Sequence, residues 1–358
     1  MMTMRPQTPD TLPRVALVAT GGTIAGTLTE GSETWAYESA QRSGESLVVD
    51  MPDLLRRAQW HFEQPYSIGS QNLQLSHMLQ LRSVLLRLLQ SPLVDAVMVT
   101  HGTDTVEDML YFLHLTLPTS AFSKPLLFTG AMLPADAEQA DGPENLRGAL
   151  AFIEQCLMGR QPNSAMPFGL FMQGLFTPAA CVEKQSTAGF DAFDGPYSVV
   201  PDSNCLNSQE ALSSPLDSGA QGQFSKLFDD DATGHPLFEA MEVPVVYCVP
   251  GNGPLRQLND LLSRKPASVI VAAPGHGNIP DDCVSVLRRL LLNGVSVVRA
   301  SRVAEGGVEQ GGEFSALDGF REGGNAGNAA VFSESGSLSL SKCAMYERLR
   351  VLARSLMA

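Results

Sequence analysis

Short apolar runs alternate with stretches whose apolar residues recur every three or four positions, and this alternation restricts the fold class before any motif is considered. Residues 15–19, 96–100, 126–129 and 168–172 are apolar at nearly consecutive positions. Strands read that way when both of their faces are covered, as in a parallel sheet. Between them, Leu75, Met78, Leu79, Val84, Leu85 and Leu88 fall at helical spacing, as do Val106, Leu110, Leu113 and Leu117, and then Leu146, Leu150, Ile153 and Leu157. Parallel strands need crossover connections, which such helices supply. The chain up to about residue 175 is therefore expected to be an α/β domain with a mostly parallel sheet.

A second α/β unit is expected from Glu242 onward. Residues 243–249, 268–273 and 295–299 read as strands, and 255–262, 281–292 and 345–356 as helices. Asp281 and Asp282 after Pro280 suit a helix start, where carboxylates meet the positive dipole end, and Asn293-Gly294 suits its stop. Residues 202–236 are rich in Ser, Asp, Gly, Gln and Asn and poor in apolar side chains, as a linker would be. The expected layout is a catalytic α/β domain over 1–203, a linker over 204–241 and a second α/β domain over 242–358. A chain of 358 residues is long enough for two cores.

Charge and cysteine usage narrow the function classes. With 24 basic and 38 acidic side chains the net charge is −14, which argues against nucleic acid or an anionic membrane as a partner. No apolar run approaches membrane-spanning length, and residues 1–14 hold no apolar stretch of the secretory kind. The six cysteines, Cys156, Cys181, Cys205, Cys248, Cys283 and Cys343, form no Cys-x-x-Cys pair. They read as reduced thiols of a cytoplasmic protein. The histidines have no metal-ligand spacing, so neither metal nor cofactor is expected.

Two of the strand-like runs end in short threonine-bearing turns. The first runs into Thr20-Gly21-Gly22-Thr23-Ile24-Ala25-Gly26, the second into His101-Gly102-Thr103-Asp104-Thr105. If both strands are parallel neighbours, both turns open on the crevice where α/β sheets bind ligands. Glycines allow close backbone approach and N–H groups aimed at an oxyanion. Capping accounts for one hydroxyl or carboxylate of the second turn, with Glu107 and Asp108 suiting the helix dipole, but not for all of them. His101 could be proposed as a base, although its Gly102 neighbour suits a packed turn. Lys184 is either a solvated surface group or, if buried beside Thr103, a desolvated amine with a lowered pKa that acts on the hydroxyl.

Together these turns resemble the two motifs of the bacterial L-asparaginase and glutaminase-asparaginase family. The resemblance extends through Ile68-Gly69-Ser70-Gln71, Gly130-Ala131-Met132, Asp141-Gly142-Pro143-x-Asn145-Leu146, Lys184 and Ser301-Arg302-Val303. It covers about residues 14–313, with 200–240 poorly matched. It implies two flavodoxin- or Rossmann-like three-layer α/β domains. It further implies hydrolysis of L-asparagine to L-aspartate and ammonia, with L-glutamine as a second or alternative main substrate.

By the same resemblance Thr23 is the nucleophile and Tyr37 its partner on a mobile lid over 26–46. Thr103, Asp104 and Lys184 form a second catalytic cluster. Ser70, Gln71, Asp104 and Ala131 bind substrate, and Glu313 and Asn252 reach a neighbouring subunit's site in a homotetramer. The ionic logic also stands by itself: a zwitterionic amino acid needs acceptors such as Asp104 for its ammonium and donors such as Ser70 for its carboxylate. A non-catalytic amino-acid-binding regulator is the reading from another class, but binding alone needs no hydroxyl nucleophile.

Overall fold

In the computed structural model, residues 12–29, 37–159, 166–187, 189–194, 221–228, 238, 241–303, 307–308, 314, 317, 320, 330–336 and 338–357 are described. The chain divides into two compact units at 223/224.

The first unit begins with β1 (Arg14–Ala19), the short antiparallel pair β2 (Thr27–Leu28) and β3 (Tyr37–Glu38), α1 (Gly44–Val49), α2 (Pro52–Leu55) and β4 (Gln59–Glu63). There follow α3 (Leu75–Gln90), β5 (Ala96–Thr100), α4 (Val106–Thr116), β6 (Leu126–Thr129), α5 (Gly142–Met158), β7 (Phe168–Met172) and β8 (Leu175–Pro178). A last antiparallel pair joins β9 (Glu183–Lys184) to β10 (Phe193–Asp194). The main sheet has the order β4-β1-β5-β6-β7-β8, parallel except for the β7–β8 hairpin.

Alternation along the strands divides the core into layers. Val15, Leu17, Ala96, Met98 and Leu127 face Leu47 and Val48 of α1, Leu54 of α2 and Leu146, Leu150 and Ile153 of α5. Helices α3 and α4 pack against each other, and α3 also contacts β5. The apolar runs read as buried strands are all there, and the three long helices lie where their periodicity placed them. The edge strand β4 escaped the sequence reading because, among the described residues, only one side is paired. Gln59 and His61 are exposed while Trp60 and Phe62 are half-buried, so no continuous apolar run marks it. Helices α1 and α2 are shorter than the windows in which periodicity shows.

The second unit is a parallel sheet in the order β11 (Val245–Tyr247), β12 (Ser268–Ala273), β13 (Ser296–Ser301), β14 (Phe332–Glu334). Helix α6 (Gly253–Arg264) and α7 (Asp281–Leu292) bury Leu258, Leu261, Val286, Leu287 and Leu290 against Val269 and Val271. Cys343 and Ala344 of α8 (Leu340–Met357) pack with Ile270, Val298 and Ala300. The strand expected over 243–249 is therefore shorter, and the closing helix begins five residues earlier than expected. Most of the low-apolar segment read as a linker lies outside the described residues. No described helix is long and apolar enough to cross a membrane.

Candidate active site

Chain order around β1 makes the crevice. The chain leaves β1 for β4 on one side, then returns across it to β5 on the other, so the loops after β1 and β5 diverge. Ligands bind at such switch points, outside the carboxyl ends of the strands. Register brings three ends level: Ala19 pairs with Thr100, and Thr100 with Thr129. The next residues keep the alignment, with Thr20 N donating to Thr100 O at 3.1 Å and His101 N to Thr129 O at 2.9 Å.

The two threonine turns touch through glycine. A methyl group on Gly22, whose φ is +80°, would lie 2.5 Å from both Cα and N of Gly102. One on Gly102 would lie 2.5 Å from Ser70 Oγ. Both distances are impossible for real carbon contacts, so these backbones meet only because neither position carries a side chain. The loop at Ser70 completes the contact: Gly21 bridges Ile68, Gly22 N donates to Ile68 O at 2.9 Å, and Thr105 Oγ1 donates to Ser70 O at 2.9 Å. Thr23, Ser70 and Thr103 are all buried.

Two polar clusters result. Thr23 Oγ1 lies 2.8 Å from the Tyr37 hydroxyl. The tyrosine ring rests over Gly26, where a methyl would sit 2.9 Å from Cδ2. Lys184 Nζ donates to Thr103 Oγ1 at 2.9 Å and to Asp104 Oδ1 at 2.7 Å. The lysine side chain is 15 % exposed and that of Asp104 61 %, so the pair has a buried end at Thr103 and an open end at the carboxylate. Lys184 therefore points at Thr103 and Asp104 rather than out into solvent.

Gln71 is exposed and curls over Gly69, where a methyl would lie 2.6 Å from its Oε1. Ala131 is buried beside Gly142, which in turn packs on Ile24. Asp141 accepts from Met132 N and Leu133 N at 3.0 Å each and from Asn145 Nδ2 at 3.0 Å. Asn145 also donates to Gly130 O at 3.0 Å. The Asp141 and Asn145 motif therefore holds the Gly130-Ala131-Met132 turn from beneath.

His101 is fully enclosed, with Nδ1 2.9 Å from Gly102 O and its ring near Phe128. Burial pushes its pKa down to about 4, so the ring is neutral and structural near pH 7. Of the expected lid, 30–36 lie outside the described residues. Its far end is fixed by Ala40 N donating to Gly22 O and by Gln41 N and Arg42 N donating to Ala25 O. Gly44, near the end of that segment, opens α1 and packs where a methyl would lie 2.5 Å from Ala19 Cβ. Sequence reasoning gave Glu107 only a dipole role, yet its Oε2 accepts from Lys184 N at 2.7 Å. No local pattern signals a contact across so much chain. In the second unit Asn252 precedes α6 as its N-cap, and Glu313 lies outside the described residues. Among the described residues no cluster of His, Cys, Asp or Glu could hold a metal.

Comparison with known proteins agrees with this architecture. The family profile described as asparaginase, N-terminal, matches residues 14–201, and that of the glutaminase/asparaginase C-terminal domain matches 242–346. L-asparaginase 2 of Bacillus subtilis is 29 % identical over 86 % of this chain and 77 % of its own length. The probable periplasmic L-asparaginase of Haemophilus influenzae is 30 % identical over 82 % and 79 %. Glutaminase-asparaginase of Pseudomonas fluorescens is 28 % identical over 84 % and 78 %. The solved structure of a probable cytoplasmic L-asparaginase from Campylobacter jejuni superposes with a TM-score of 0.72 at 25 % identity, covering 95 % of this chain and 99 % of that one. The fold and the matched family profiles are those of a two-domain α/β amidohydrolase. The chain belongs to the asparaginase family.

Proposed function

We propose that this amidohydrolase converts L-asparagine to L-aspartate and ammonia through an acyl-enzyme on Thr23. The observation that carries the reading is the pairing of two buried threonine hydroxyls, each with a proton partner, on turns in contact through Gly22 and Gly102. Thr23 Oγ attacks the side-chain amide carbon, and its proton passes toward Tyr37. Collapse of the tetrahedral adduct breaks the C–N bond, and the leaving nitrogen takes that proton and departs as ammonia. Water then attacks the ester beside Thr103 and Lys184; its OH stays on the acyl carbon, the C–Oγ bond breaks, and its other proton returns to Thr23 Oγ, which regenerates the hydroxyl.

Substrate charges set the orientation. Lys184 engages one oxygen of Asp104, and a carboxylate has about four lone-pair sites, so Asp104 can also take the α-ammonium. Ser70, Gln71 and turn N–H groups hold the α-carboxylate, and Ala131 lies by the amide end. Fixing both charges places the amide carbon at Thr23, so remote binding energy serves the chemical step.

Glu313 and Asn252 complete a neighbouring site in a homotetramer. Val245, Tyr247 and Val249, on and just after the edge strand β11, are exposed apolar residues leading to Asn252, as suits such an interface. The enzyme works in the cytoplasm, in keeping with the five described cysteines, all free thiols. Two relatives named glutaminase-asparaginase favour glutamine as the second reading. One methylene is worth only about 1–3 kcal/mol of discrimination.

Ammonia release from purified enzyme, compared as kcat/KM on the two amides, tests both readings. Higher efficiency on glutamine replaces the substrate, and binding of either amide without ammonia release leaves a non-catalytic binder.

A further inference from the structure

We infer that Glu107 is a positioning residue, holding Lys184 at Thr103 by accepting the lysine's backbone N–H. This rests on reading Lys184 and Thr103 as the second catalytic cluster. Strand β9 is two residues long and, among the described residues, pairs only with the equally short β10. In an antiparallel ladder, hydrogen-bonded pairs alternate with pairs whose N–H and C=O groups point away from the partner. Gln185 N donates to Ala192 O at 2.8 Å, so 185 and 192 form a bonded pair. The neighbouring pair, Lys184 and Phe193, then turns its amide groups outward. The outward Lys184 N–H meets Glu107 Oε2 at 2.7 Å.

Glu107 sits in the first turn of α4, four residues after Thr103 and two after Thr105, whose hydroxyl is tied to Ser70 O. The bond therefore joins the lysine's backbone to the helix start that carries its target. Backbone at Glu107 and side chain at Asp104 bracket the amine at both ends, so Nζ is set against Thr103 Oγ1 with little freedom. Such placement acts on the reacting geometry rather than on affinity.

The test compares Glu107→Ala, Glu107→Gln and Lys184→Met in the full-length enzyme, with steady-state kinetics on L-asparagine and thermal melting of each. Because a misplacement of about 1 Å can cost about a hundredfold, Glu107→Ala should lower kcat by roughly ten- to a hundredfold with KM within about twofold. Glu107→Gln keeps a carbonyl acceptor and should recover most of that loss. Wild-type kcat in Glu107→Ala overturns the proposal. So does an equal fall in both variants, because the charge and not the acceptor would then matter. If Glu107→Ala does not fold, the near-isosteric Glu107→Gln decides: a tenfold loss of kcat in it overturns the role, and a loss under about threefold supports it. Lys184→Met separates the two layers. Full turnover there removes the cluster reading itself, whereas an inactive Lys184→Met beside a fully active Glu107→Ala removes only the positioning role.

Discussion

Lys184 Nζ donates to Thr103 Oγ1 at 2.9 Å across 81 residues of chain. The lysine stands on a two-residue strand and the threonine on the turn after β5, so neither element could hold the other without the sheet between them. Together with Thr23 of the adjoining turn and Tyr37 of β3, whose hydroxyls lie 2.8 Å apart, they give the crevice two threonine hydroxyls, each with a polar partner.

Removing either hydroxyl should stop turnover without unfolding the chain. Thr103→Ala is expected to lose about 10²–10⁴ in kcat, the range of a positioned proton-transfer group, and Thr23→Ala, which removes the attacking oxygen, at least as much. Both side chains are small and lie on turns, so melting temperatures should move little. Near-wild-type ammonia release from either variant would sink the two-threonine mechanism.

Tyr37→Phe keeps the ring over Gly26 and deletes only the hydroxyl facing Thr23 Oγ1. Its kcat should fall by about a hundredfold or more, while binding of L-aspartate, which needs no proton transfer, stays close to wild type. A variant that loses product affinity and retains kcat would place Tyr37 in binding instead.

Asp141 should matter to stability more than its distance from the chemistry suggests. Its carboxylate takes Met132 N, Leu133 N and Asn145 Nδ2 in a buried position. Asp141→Ala leaves those donors without an acceptor, at about 1–3 kcal/mol for each one that water does not reach. Urea unfolding should show a loss on the order of 3 kcal/mol, and an unchanged midpoint would mean the turn at Ala131 needs no such support.

His101 makes a pH prediction whose sign follows from burial. Its folded pKa of about 4 lies below the ordinary 6.5, so below pH 6.5 the unfolded chain binds a proton that the folded one refuses. The stabilisation is complete above pH 6.5 and is lost as pH falls through about 4, reaching about 3 kcal/mol at 1.36 kcal/mol per pKa unit. Between pH 7 and pH 5, His101→Gln should therefore lose less stability than wild type in urea titrations. Equal losses in the two proteins would show that another group carries the acid sensitivity.

Much of the first unit was legible because its strands are covered on both faces, and double burial prints itself as a run of apolar letters. The helices 75–90, 106–116 and 142–158 were legible for the matching reason, a single buried stripe at helical spacing. What escaped was exposed, short or remote. Among the described residues edge strand β4 has a single neighbour, α1 and α2 span too few turns, and Gly44, inside the segment read as a lid, makes room for Ala19 by its missing side chain. Asn145 was visible as part of a motif, yet its work on Gly130 became clear only when the turn and the helix start were seen to meet.

By itself the sequence determined which segments must be buried, where turns must break the chain, and that two of those turns carry threonine hydroxyls beside glycine. These are local facts, written in periodicity and residue chemistry. Tertiary structure alone decided that β1 and β5 are neighbours with Ala19 level with Thr100, that Gly22 and Gly102 meet where no methyl fits, and that Glu107 and Lys184 share a hydrogen bond. Sheet order and register belong to the whole folded chain, because each pairing is chosen by burial summed over many strands and helices. A side chain's partner across eighty residues follows from that sum, and no window along the sequence contains it.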